Sequence, residues 1–376
     1  MNIFIRRKKG ACSLVLLIGF SLLGGWSSYG YNRSSSVQPN GHKDYTMPGP
    51  YKVLTLEYPD LIDSSRYGRR VPILVLYPES EGKFPLVIFS HGAAGHWYSH
   101  YEHAVHMASH GYIVMCPVHV YSDNKRVKLS MKRSRKLFKF RKFMEGGRKV
   151  MKDPRAVLGR PKDISFVIDQ AERWHSKRFH PLEGRIKLDR IAVGGHSFGA
   201  YTTYAVVGAR PILDHLNPPL TSRRGLGPDL SDPRVTVGIA MSPQGPDSNF
   251  FGSDSFKTIQ RPLLCFSGSK DKMQSADGST LSPLNRLKSF KLMPKGEKYY
   301  LWLKNAGHMG FSGTGGKAYE APARERRDVM RITKAMMLVF CDLKLKGLTE
   351  AGPFLSQEYA VSLIGKRVPR IIWYQK

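Results

Sequence analysis

The chain is poor in cysteine, poor in acidic side chains, and without a long unbroken apolar run. Four cysteines stand among 376 residues, and none falls in a CxxC or a Cys/His metal-ligand spacing. That excludes the usual cysteine-held metal centre. Cys12 sits in an apolar run with no convincing lipidation box, so a lipoprotein is not expected. Without the leader, Cys116, Cys265 and Cys341 remain, an odd number that leaves at least one free thiol. Cys116 and Cys265 lie in strand-like apolar runs and are expected to be buried and free. A Cys265–Cys341 bridge is the less favoured alternative.

Acids are outnumbered, with 29 Asp and Glu against 59 Lys and Arg and a formal charge of +30. A balance of that sign attracts polyanions or anionic surfaces and says little about fold. The apolar stretch from Ala11 to Leu23 is too short and too rich in Gly and Ser for a comfortable transmembrane helix. Arg6-Arg7-Lys8-Lys9 precedes it and Ser28-Tyr29-Gly30 follows it, which together read as a secretory signal over residues 1–30. The expected destination is therefore secretion or the periplasm, with an uncleaved anchor as the alternative. The paired arginines raise twin-arginine export only weakly. Removing the leader removes four basic residues, so the mature chain carries 30 − 4 = +26.

What the chain does have is alternation. Residues 31–50 are rich in Ser, Gly, Pro and Asn and read as a linker. Val53-Leu54-Thr55-Leu56 and the run from Val71 to Tyr77 suggest an early hairpin. Further strand-like runs follow at Phe84–Ser90, Gly111–Val118, Arg190–Val193, Val235–Met241, Pro262–Phe266 and Lys298–Leu303, the last of the series. Helical periodicity separates them, about Ser99 to Ser109, Arg160 to Arg173 and Arg327 to Lys346, with Ile164, Val167, Ile168 and Ala171 on one face. Apolar strands alternating with helices predict an α/β fold whose central sheet is mostly parallel, with helices on both faces. The catalytic domain is expected over 51–350, with a C-terminal extension over 351–376.

One segment breaks the alternation. Between Lys125 and Lys162 stand sixteen Lys or Arg and only two acids, Glu145 and Asp153. Leu137, Phe138, Phe140, Phe143 and Met144 are interleaved among the cations. This reads as a basic insertion over 124–155, placed after a parallel strand and hence near the carboxyl end of the sheet, where α/β active sites lie. A basic amphipathic element is expected there to meet an anionic membrane surface or a polyanion. A solvated loop is the plain alternative. No specific nucleic-acid partner is expected.

The densest chemical signal is Gly195-His196-Ser197-Phe198-Gly199. It follows an apolar strand and precedes a helix-forming run from Ala200 to Val207. Strand, tight turn and helix with Ser at the apex form a nucleophile elbow. Ser197 needs a strained backbone with positive φ, and only very small residues fit two positions to either side. A base, an acid and two N–H donors must accompany such a serine. In chain order the acid comes before the histidine. Asp271, in the small-residue loop Ser267-Gly268-Ser269-Lys270-Asp271, is the expected acid, with Asp247 as runner-up. His308, in Gly307-His308-Met309-Gly310, is the expected base, since His215 sits too soon after the elbow helix. The oxyanion donors are expected to be the backbone N–H groups of Ala93, in His91-Gly92-Ala93-Ala94-Gly95, and of Phe198. His91, His96, His100, His103, His106 and His110 cluster within twenty residues. A metal site on His96, His100 and His103 is conceivable, but a partly exposed polar helix is the plainer reading, and no metal is predicted.

Taken together these blocks resemble α/β-hydrolases of the predicted dienelactone hydrolase group, related to platelet-activating-factor acetylhydrolases and bacterial polyester hydrolases. The resemblance covers about residues 51–350. It rests on Asp63-Ser64-Ser65-Arg66, Phe89-Ser90-His91-Gly92, Arg160-Pro161-Lys162-Asp163, the elbow, Met241-Ser242-Pro243-Gln244-Gly245, the Gly268/Asp271 loop and Gly307-His308-Met309. It implies a cofactor-free Ser-His-Asp hydrolase of small-molecule or lipid esters. Two departures stand out. Dienelactone hydrolases carry a cysteine nucleophile where this chain has Ser197, which counts against dienelactone as substrate. The basic insertion is also longer than the resemblance implies.

Overall fold

A computed structural model describes residues 43–123, 125, 145–147, 149–216, 218–220, 225–274, 279–312, 323–364 and 370–376. The expected signal over 1–30, most of the linker over 31–50 and the centre of the basic insertion lie outside the described residues.

Among the described residues thirteen strands occur in this order: β1 (Val53–Tyr58), β2 (Ile62–Asp63), β3 (Arg69–Arg70), β4 (Ile73–Pro78), β5 (Phe84–Ser90), β6 (Ile113–Pro117), β7 (Ile186–His196), β8 (Val237–Met241), β9 (Leu263–Lys270), β10 (Met273–Gln274), β11 (Thr280–Leu281), β12 (Lys298–Gly307) and β13 (Ile371–Gln375). Helices among the described residues include α1 (Tyr101–Ser109), α2 (Pro154–Val157), α3 (Gly159–Ser176), α4 (Phe198–Val206), α5 (Leu284–Leu292), α6 (Ala323–Leu345) and α7 (Gln357–Ser362). Nine strands form one sheet in the order β1-β4-β6-β5-β7-β8-β9-β12-β13. From β6 to β12 neighbouring strands run parallel, and the pairings at both ends are antiparallel. The α/β architecture predicted from the apolar runs is present.

Every residue of β5 and of β8 is buried, which is why those runs carry no polar alternation. Helices cover both faces. One core contains Ile164, Val167 and Ala171 of α3, Phe198 and Tyr204 of α4, and Leu287 and Phe290 of α5. The other contains Ala104 and Met107 of α1 with Ile332, Met336 and Val339 of α6. The sheet order places β6 on one side of β5 and β7 on the other. Connections thus leave β5 and β7 in opposite directions, and in such sheets ligands bind outside the carboxyl ends of the strands at that point. Those ends carry Ser90 and His196, beside the oxyanion loop and the elbow.

Two expectations need correcting. Lys298–Leu303 is not the last strand, because β13 pairs antiparallel with β12 from Tyr299↔Gln375 to Leu303↔Ile371. The stretch after 350 thus supplies an edge of the central sheet. A short edge strand of five residues, Ile371–Gln375, carries too little alternation to be recognised alone.

The second correction concerns α1. Its start is exposed at Tyr101 and Glu102, but His100, His103, His106 and His110 are all buried, so the histidines do not form the solvent face of a polar helix. The helix is wedged between the sheet, α6 and the segment around Tyr45. His103 Nε2 lies 3.2 Å from Thr333 Oγ1, His106 Nε2 3.1 Å from the Tyr45 carbonyl, and His110 Nε2 2.9 Å from the Met47 carbonyl. Neutral imidazoles serve here as large core side chains, with His103, His106 and His110 each held by one of these contacts. Burial pulls His100 and His110 down to about 4 and holds His103 and His106 well below their usual range.

This has a consequence for acid stability. A histidine whose folded pKa is depressed binds protons more readily in the unfolded chain. Its contribution is present above about pH 6.5 and is lost as pH falls toward the folded value. The slope is about 1.4 kcal/mol per pH unit for each such histidine. Urea midpoints are expected to drop steeply between about pH 6.5 and pH 5, before carboxylates titrate. A midpoint unchanged over that interval would contradict neutral burial of these side chains.

Candidate active site

β7 ends at His196 and α4 begins at Phe198, leaving Ser197 as the single turning residue. Its backbone has φ 57° and ψ −117°. That is a strained conformation for a residue with a Cβ, and it lifts the side chain out of the sheet. The two glycines are required by close approach. A Cβ on Gly195 would stand 2.5 Å from the Gly199 carbonyl carbon and 2.7 Å from the Ser90 carbonyl oxygen. A Cβ on Gly199 would overlap that same Ser90 oxygen. The turn is fixed from behind by Ser197 N–H to the Met241 carbonyl at 3.0 Å, and by Gln244 Nε2 to the Ser197 carbonyl at 2.9 Å.

His308 follows directly on β12 and opens a short 3-10 helix, His308–Phe311. Its Nε2 lies 2.9 Å from Ser197 Oγ, and its Nδ1 lies 2.8 Å from Asp271 Oδ1. Asp271 comes just after β9, the sheet neighbour of β12, and is fully buried. Burial alone would raise its pKa, but the Arg286 guanidinium and the His308 bond hold the carboxyl well below its usual range. Asp271 is therefore ionised, which sets the proton on His308 Nδ1 and leaves Nε2 as the acceptor facing the serine. Asp247 lies elsewhere. Half exposed, it pairs with Lys288 at 2.9 Å and bonds Asn285.

Arg286, on α5, is a site residue that the sequence did not reveal. It is buried, with Nη2 3.0 Å from Asp271 Oδ1 and Nε donating to the Asp271 carbonyl at 2.9 Å. Nη1 donates to the carbonyls of Ser242 and Pro243 at 2.7 and 2.8 Å. Arg286 Nη2 also lies 3.2 Å from His308 Nδ1. With Nδ1 protonated toward Asp271 that approach is not a hydrogen bond, because both nitrogens are donors. Ser267 Oγ completes the carboxylate's shell at 3.0 Å. His196 likewise went unnoticed inside its own motif. Its Nε2 meets the His308 carbonyl at 2.8 Å and pins the backbone of the histidine loop. Burial, reinforced by His308, keeps the His196 imidazole neutral.

The loop after β5 lies against the elbow. A Cβ on Gly92 would come 3.3 Å from the His196 carbonyl and 3.6 Å from Ser197 Cβ. Ala93 sits between two fixed points, Gly95 N–H to Gly92 O at 3.1 Å and Ala94 N–H to Ser122 O at 2.8 Å. Phe198 is the first residue of α4, so its N–H has no acceptor within the helix. These are the two N–H groups expected as oxyanion donors.

The histidine cluster assembles no metal centre. Among the described residues no group of three His, Cys, Asp or Glu side chains could hold an ion. Cys116, Cys265 and Cys341 are free and buried, which excludes the Cys265–Cys341 bridge.

Residues 48–140 match the sequence model of the chlorophyllase family, which comprises esterases of the α/β-hydrolase type. The matched stretch runs from just before β1 past β6, so it contains the loop at Ala93 and stops short of the elbow, Asp271 and His308. It supports an ester hydrolase and goes no further toward the dienelactone hydrolase group. No curated protein matches the chain.

Proposed function

We propose that the chain is an exported serine hydrolase that cleaves carboxylic esters through an acyl-enzyme. Ser197 Oγ attacks the ester carbonyl while His308 Nε2 takes its proton. Asp271 keeps the imidazole in the reactive tautomer and stabilises the imidazolium, and Arg286 keeps Asp271 ionised. The N–H groups of Ala93 and Phe198 receive the oxyanion. His308 returns the proton to the leaving alkoxide, and water then takes the place of the alcohol to release the acid. No cofactor enters this scheme. The observation that carries the reading is the unbroken chain from Ser197 Oγ through His308 to buried Asp271, at 2.9 and 2.8 Å. Export rests on the charged and apolar leader, and membership of the dienelactone hydrolase-like group on the motif blocks. A nitrophenyl ester series of increasing acyl length tests the reading. Short soluble esters are expected to turn over without lipid, and no hydrolysis at any length would overturn it.

A second reading, a lipase or phospholipase A2-type acylhydrolase at anionic membranes, draws on the sixteen cations between Lys125 and Lys162. Each cation near an anionic surface adds roughly 1 kcal/mol, weakened by salt. Sedimentation with vesicles should then rise with anionic lipid, fall with salt, and drop when the cations at 132–142 are neutralised. Equal binding to neutral and anionic vesicles would leave the soluble-ester reading alone.

A further inference from the structure

A second buried polar network lies behind the oxyanion loop, outside the Ser197 site. Its centre is Asp163 on α3, fully buried and held by four nitrogens from three side chains. Arg66 Nη1 approaches at 2.8 Å, Arg69 Nε and Nη2 at 2.6 and 2.7 Å, and His119 Nδ1 at 2.9 Å. Burial would raise the Asp163 pKa, but Arg69 and His119 keep it well below the usual range. An ionised Asp163 places the His119 proton on Nδ1. His119 Nε2 then accepts from Ser90 Oγ at 2.9 Å. Burial lowers His119 to about 3, so it is neutral.

Asp163, His119 and Ser90 thus repeat the atom order of a catalytic triad. Ser90 is not a nucleophile, however. It is fully buried at the end of β5, and Arg160 Nη2 donates to its Oγ at 3.1 Å. That bond engages one of the hydroxyl's two lone pairs, and full burial leaves a substrate carbonyl no approach to the other.

Arg160 joins this network to the proposed oxyanion donors. Its Nη2 also donates to the His91 carbonyl, one residue before Gly92. Nη1 donates to Ser122 Oγ at 2.5 Å, and the Ser122 carbonyl in turn holds Ala94 N–H. Nε donates to Thr202 Oγ1 on α4 at 3.0 Å, and the guanidinium lies 4.4 Å from the centre of the Phe198 ring. Both sides of Ala93 and the first turn of α4 are therefore tied to one planar group. Among the described residues no carboxylate lies within ion-pair distance of it. Burial pulls its pKa down to about 9, so it remains a cation at neutral pH. Arg66 and Arg69 meet the carboxylates of Asp63 and Asp163, whereas Arg160 donates to neutral oxygens alone among the described residues.

We propose that Arg160, backed by the Asp163–His119–Ser90 chain, is the positioning residue that keeps the Ala93 and Phe198 N–H groups convergent. This rests on the serine-esterase reading. Fixed donors act chiefly on the transition state, where the oxyanion forms.

The test compares Arg160→Gln and Arg160→Lys with the wild-type chain on a soluble nitrophenyl ester. R160Q is expected to lose about 10²–10³-fold in kcat, the range for one lost oxyanion donor. KM should stay within about threefold. Affinity for a trifluoromethyl ketone, which forms a tetrahedral adduct, should fall in parallel, and R160K should recover part of both. A folded R160Q with wild-type kcat overturns the proposal, as does a kcat loss with unchanged ketone affinity, the mark of a merely structural role. Should R160Q not fold, Ser122→Ala and Thr202→Val each remove one anchor and should cost about tenfold in kcat. Unchanged kcat in both overturns the proposal equally. Amide hydrogen exchange at 92–95 reads the loop without turnover and should accelerate in R160Q or S122A. Unchanged exchange refutes the positioning, whereas an inactive wild type with this acceleration refutes the esterase reading instead.

Discussion

Ser197→Ala lowers kcat for ester hydrolysis by about 10⁴–10⁶-fold, the loss expected when the nucleophile of a triad is removed. The fold should survive. Ser197 caps α4 without a side-chain hydrogen bond to the helix, so alanine forfeits no cap. The backbone at φ 57° remains strained for alanine, but serine bears a Cβ as well. What disappears is the 2.9 Å contact from Oγ to His308 Nε2. Circular dichroism and urea midpoints should match the wild type. A fluorophosphonate should label Ser197 and no other serine, and labelling should vanish in the variant. Labelling at Ser90, or full activity without Ser197, would sink the assignment.

Asp271→Asn is expected to lower kcat by about 10⁴-fold, because an amide in place of the carboxylate favours the wrong imidazole tautomer. The effect should also reach stability. Arg286 is buried beside Asp271 at 3.0 Å, and an uncharged partner leaves that guanidinium uncompensated. Breaking such a pair costs on the order of 3–5 kcal/mol. The Arg286 bonds to the Ser242, Pro243 and Lys272 carbonyls remain and should soften the loss. Asp247→Asn is the control, since Asp247 is half exposed and pairs with surface Lys288. It should retain activity within about twofold, as surface ion pairs contribute little. A large loss in D247N with little in D271N would reverse the assignment of the acid.

Several features were legible because their causes are local. Whatever follows β7 must turn with Gly195 and Gly199 in contact, so a five-residue pattern suffices to mark the elbow. Asp271 and His308 were legible from their order and from loops that follow apolar runs. Other features have distant causes. Arg286 sits in an ordinary helix, and only the packing of α5 against the end of β9 turns it toward Asp271. Arg160 stands at the start of α3, yet its partners come from β5, the loop after β6 and α4. The histidines of α1 read as surface residues because nothing in 99–110 announces that α6 and the segment at Tyr45 cover them.

The sequence by itself determined the alternation of buried strands and helices, the strained turn at Ser197, and free cysteines in apolar strands. Each follows from steric or solvation demands among near neighbours. The tertiary structure alone decided that Asp271 and not Asp247 meets His308, and that β13 closes an edge of the sheet. It alone also set the Arg160 guanidinium behind the oxyanion loop, bonded to Ser90, His91, Ser122 and Thr202. Those outcomes depend on which elements lie side by side, and a carboxylate or guanidinium acquires its charge state and role from groups many residues away.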